Sequence, residues 1–147
     1  MTRSERMQPV REVVGANERR EAGELAMTEK RLAESEQKLN ELKQYEQDYR
    51  DGFNARVSAG MGGNGLRDYQ QFLARLMDAI RQQTQVVARA RSERDAQQGH
   101  WRDAAQRHKA VDRVVENWKS EERRAADRVE QRDSDERALR KPTQRHE

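Results

Sequence analysis

Apolar residues recur at alternating steps of three and four from Leu66 to Leu139. Leu66, Tyr69, Leu73, Leu76, Ile80, Val87, Ala90, Trp101, Ala104, Val111, Val115, Trp118, Ala125, Val129 and Leu139 mark the repeat. Gln83, Arg94, Gln97, His108, Glu122, Arg132 and Glu136 hold its register where an apolar residue is missing. This spacing lays one narrow seam along one side of an α-helix, and such a seam needs a partner helix. A weaker repeat precedes it, through Val14, Leu25, Leu32, Leu39, Leu42, Tyr45, Tyr49, Phe53 and Val57. Between the two lies Ser58-Ala59-Gly60-Met61-Gly62-Gly63-Asn64-Gly65, where the chain is free to reverse. The pattern predicts a single domain made of a helix over 9–57, a turn over 58–65, a helix over 66–139 and a tail over 140–147. Pro9 is tolerated in the first turn, Asn64 caps the second helix and Pro142 stops it. Gly15 and Gly23 each weaken the first helix by about 1 kcal/mol relative to Ala, so its N-terminal third is expected to fray.

The repeats match one another when residues are paired so that their numbers sum to about 122. Phe53 then meets Tyr69, Tyr49 meets Leu73, Leu42 meets Ile80, Leu32 meets Ala90, Leu25 meets Gln97 and Val14 meets His108. The expected fold class is all-α: a long antiparallel two-helix coiled coil, an α-helical hairpin whose second helix is the longer. Aromatic pairs next to the turn predict tight packing there, and the polar pairs further on predict loosening toward the termini. At 1.5 Å per residue the helices measure roughly 70 and roughly 110 Å, so the second outruns the first by about 25 residues. On this reading the seam from Val115 through Trp118, Ala125 and Val129 to Leu139 has no intrachain partner and forms a binding surface.

Composition narrows the functional classes. Hydrophobic residues make up 33% of the chain and charged residues 39%, too little apolar material for a thick core but enough for a seam. The apolar periodicity, and prolines confined to positions 9 and 142, argue against disorder. The net charge is +3, yet acidic and basic residues alternate and no basic stripe with interleaved aromatics stands out. Nucleic acid is therefore the weaker partner class, and the abundance of Arg favours carboxylate-bearing protein surfaces. Cysteine is absent, which excludes thiolate metal sites and disulfides. No apolar h-region follows Met1 and no stretch approaches a membrane span, so a cytoplasmic protein without direct membrane insertion is expected.

Individual motifs yield no chemistry. Gly60, Gly62 and Gly65 spell G-x-G-x-x-G, but a helix rather than a strand precedes them, and they read as a hinge. Tyr45, Tyr49 and Tyr69 stand at helical spacing and read as packing rather than as a ligand cage. His100, His108 and His146 have no metal-ligand spacing; His108 falls in the seam as a polar position. No catalytic constellation, metal or cofactor is expected, and a paired-helix chain has no cleft to exclude water.

The segments Tyr45-Glu46-Gln47-Asp48-Tyr49-Arg50, Ser58-Ala59-Gly60 and Tyr69-Gln70-Gln71-Phe72, with Arg140-Lys141-Pro142 near the end, resemble the flagellar export protein FliJ family. The resemblance covers nearly the whole chain, including the position of the turn. It implies a soluble, non-enzymatic part of the flagellar type III export apparatus, stalk-like in the manner of the rotary ATP synthase gamma subunit. The implied partners are the hexameric export ATPase, the export-gate membrane protein FlhA and the chaperones of late export substrates. The implied location is the cytoplasmic side of the inner membrane at the flagellar base. It implies an export-gate stripe at Phe72, Leu76 and Ala79, with Gln83 the next position, and Phe72 and Ala79 lying exposed beside the seam. For the ATPase ring it points to the termini, where Trp118, Arg123, Arg124, Arg128, Val129 and Arg132 line the expected overhang. The glycine break favours a monomer when free. A structural coiled-coil scaffold unrelated to export is the main alternative.

Overall fold

The computed structural model describes residues 1–144 and contains two long α-helices: α1, Arg3–Ser58, of 56 residues, and α2, Gly63–Gln144, of 82 residues. The all-α class and the longer second helix are as the sequence implies. The boundaries differ from the expected ones, each for a local reason. α1 begins at Arg3, ahead of Pro9, because Thr2 and Glu5 form a capping box. Thr2 N donates to Glu5 Oε2 at 3.1 Å and Glu5 N donates to Thr2 Oγ1 at 3.3 Å. Pro9 is carried inside the helix, where it forgoes one backbone hydrogen bond.

The break is four residues long rather than eight. Gly60, with φ of 95°, ends the run of helical conformation, and its N–H donates to Val57 O at 3.1 Å. Gly62, not Asn64, starts α2: its carbonyl accepts from Leu66 N at 3.2 Å, so Asn64 already lies in the first helical turn. At the far end α2 passes through Pro142 to Gln144 instead of stopping at 139. A proline in a final turn removes a single hydrogen bond, which a helix end tolerates. The last residues of the expected tail, 145–147, lie outside the described residues.

The chain packs as two units, one formed by Glu21–Trp101 and the other by Met1–Arg20 with the chain from Arg102 onward. The first, the bend unit, is an antiparallel pair closed by the turn. Its core holds Leu32, Val87 and Ala90, with Leu39 packed against them, and Leu76 is also buried. Next to the turn Phe53 stacks on Tyr69 at 3.5 Å between ring centroids, and Tyr49 stacks on the same ring at 5.1 Å. Tyr49 thus packs on both Tyr69 and Phe72. Gln97, a polar position of the seam, donates to the carbonyl of Glu21 at 3.2 Å. A polar residue in the seam is satisfied by an acceptor on the facing helix.

The second unit is not loose. Val115 is fully buried and Ala104 nearly so. His108 lies against Gly15 and bonds through Nδ1 to the Glu18 carboxylate. Arg11 Nε stands 2.7 Å from Asp112 Oδ1. Charged pairs across the seam thus join the aliphatic contacts of Ala104 and Val115.

Candidate functional site

The expected ATPase-ring residues begin in the second unit. Because α1 starts at Arg3, six residues before the expected start at 9, it covers more of α2 than the sequence reading allows. Val115 and Trp118, expected to be bare, have intrachain partners. Val115 is enclosed, and Trp118 is half-buried with the Arg3 guanidinium 4.8 Å from its ring centroid. Arg3 also donates to Glu121 Oε2 at 2.9 Å. Ser4 donates to Glu122 twice, through its N–H at 3.1 Å and its hydroxyl at 2.6 Å. These contacts form a latch that fixes the first turn of α1 to α2. On the sequence alone the first helix starts at residue 9, which leaves Glu122 without a partner; the T-x-x-E of Thr2-Arg3-Ser4-Glu5 is the signal for the earlier start.

The Ser4 hydroxyl, then the Ser4 N–H, hold the Glu122 carboxyl below its ordinary range, with Arg3 adding to the effect and desolvation opposing it. A carboxyl depressed in the folded state contributes stability above its unfolded pKa, and that contribution is lost as pH falls through the folded value. Wild type is therefore expected to melt above Glu122→Gln at neutral pH, with the difference closing as the solution is acidified through the carboxylate range. A difference independent of pH would rule out the ionised latch.

Beyond the latch, every residue from Arg123 to Arg140 is exposed, including Arg123, Arg124, Arg128, Val129 and Arg132. Val129 is 54% and Leu139 77% exposed. Arg124, Arg128 and Arg132 follow at i, i+4 and i+8, so they share one face. Like charges at this spacing destabilise a helix by about 0.2–0.5 kcal/mol per pair, a cost that an acidic partner relieves.

The expected gate residues lie in the bend unit, and the structure places them differently from the reading of Phe72 as a free side chain. Phe72 is half-buried, tilted against Tyr49 at 4.4 Å and edge-on to Tyr45 at 6.0 Å. Leu76 is buried. Gln83 is also buried and donates to the carbonyl of Ser35 at 3.0 Å, and the Ser35 hydroxyl turns to Leu32 O at 2.8 Å. The row shares Leu76 and Gln83 with the seam, which is why these two of its four members are enclosed. Phe72 and Ala79 keep partial exposure, and Tyr45 beside them is 52% exposed. Among the described residues no helix is long and apolar enough to cross a membrane.

The family model of the flagellar FliJ protein matches residues 3–147 of the chain. The flagellar FliJ protein of Escherichia coli (strain K12) is 32% identical over 113 residues, which cover 74% of this chain and 77% of that protein. No solved structure matches.

Proposed function

The chain belongs to the flagellar FliJ protein family, a component of the flagellar export apparatus, and from that premise we propose that it is a stalk-like factor of type III export. In this reading the segment after Arg123 engages the hexameric export ATPase, and the face around Phe72 and Ala79 engages the cytoplasmic part of the export gate. Late-substrate chaperones are escorted on the same chain, which places it peripherally at the inner membrane. The observation that carries the reading is the exposure of a whole helical segment, Arg123 to Arg140, with three arginines along one face. A helical segment with no buried face gains little from packing in water, and a binding surface on a partner would supply it.

The gate contact is tested at Ala79. Phe72→Ala removes ring contacts to Tyr45 and Tyr49 and is expected to cost about 1–3 kcal/mol of stability, which confounds a binding assay. Ala79 is half-buried and its neighbour Asp78 exposed, so Ala79→Glu adds a charge at the rim. Binding to the isolated cytoplasmic domain of the gate is expected to fall roughly tenfold, with the circular dichroism melt little changed. Undiminished binding by a folded Ala79→Glu protein would remove this face from the gate contact.

A further inference from the structure

A recess of about 310 Å³ opens beside the bend, between the end of α1 and the start of α2. Its apolar wall is the stacked aromatic group of Tyr49, Phe53 and Tyr69. Asp48 from α1 and Asp68 from α2 also line it, and Arg56 is the one cation of the lining. Two features of the sequence keep it open. Gly52 lies in the interior of α1, where a glycine costs helix stability, and a Cβ built there meets nothing within 4 Å. Gly65 lies under Met61, whose Cγ stands 2.8 Å from where a Cβ would be, so any larger residue would push the methionine aside.

From this geometry we infer that the recess receives an arginine side chain presented by a partner protein. The inference goes beyond the export reading and does not depend on it. An aromatic wall with carboxylates from two different helices matches a flat cation that stacks by its face and donates from its edge. One oxygen of Asp48 accepts from Gln44 at 3.0 Å, which fixes the carboxylate and leaves its second oxygen for a guanidinium. The two carboxylates against one Arg56 disfavour a phosphate. A lysine ammonium offers no plane to stack on the rings, so the recess discriminates between the two basic side chains.

The test is titration of the full chain with N-acetyl-arginine N-methylamide, followed by amide chemical shifts in NMR. Saturable shifts are expected at Gly52, Gly65, Asp68 and Tyr69. The lysine analogue is expected to bind several-fold more weakly. Asp68→Asn is expected to weaken arginine binding roughly tenfold. Gly52→Met, which fills the recess with a better helix former, is expected to abolish binding without lowering the melting temperature. The proposal is overturned if no saturable shift appears, if Gly52→Met binds as wild type does, or if the lysine analogue or N-acetyl-tyrosine N-methylamide binds equally well.

Discussion

Val115→Asp is expected to unfold the packed part of the unit formed by Met1–Arg20 and the chain from Arg102 onward. Val115 is the fully buried side chain there, at 0% exposure. Its replacement both removes a seam contact and encloses a carboxylate without a partner, a combination that costs about 4 kcal/mol or more. Its cross-seam ion pairs offer little compensation: Arg3 and Glu121, for example, are both more than half exposed. Exposed pairs of that kind each contribute about 0–1 kcal/mol. The neighbouring Val114→Asp is the control: Val114 is 38% exposed, and its substitution is expected to stay within about 1 kcal/mol. Hydrogen exchange at the amides from Met7 to Glu18 and from Ala104 to Trp118 reads the difference, with protection lost in the first variant and kept in the second.

The all-α fold, the longer second helix and the aromatic packing at the turn were legible because each rests on spacing. A 3,4 repeat fixes a seam, and a glycine cluster between two repeats fixes a reversal. What was not legible rests on hydrogen bonds. The start of α1 is set by a reciprocal bond between Thr2 and Glu5, and six residues of early helix decide whether Val115 and Trp118 are bare or covered. Gln83 and Gln97 likewise find backbone carbonyls of Ser35 and Glu21, because a polar residue in a seam settles on an acceptor. For the candidate site, spacing located the exposed arginines after Arg123. It also placed Leu76 and Gln83 of the gate stripe in the seam, where α1 encloses them, with Phe72 and Ala79 beside it and partly exposed.

Deletion of residues 124–147 is expected to reduce stimulation of the export ATPase to its basal rate while leaving the rest of the chain folded. The cut preserves Glu122 and with it the Ser4 latch. It removes only residues that are exposed as far as the side chains are described, through Arg140, so the melting temperature of the remainder is expected to stay close to that of the full chain. The arginine-to-glutamate triple substitution at Arg124, Arg128 and Arg132 is expected to act in the same direction, since charge reversal on one helix face opposes an acidic surface at each of three positions. Its helix stays intact, because glutamate forms helices about as well as arginine.

The proposed engagement of the ATPase by the exposed part of α2 is tested most directly by placing a photo-crosslinking amino acid at Val129, in the middle of that part, and irradiating the full chain with the assembled export ATPase. The expected result is a covalent adduct between the two proteins, absent when the same probe replaces the exposed Met27 of the bend unit. An adduct at Met27 with none at Val129 would contradict the account and move the ATPase contact to the other unit.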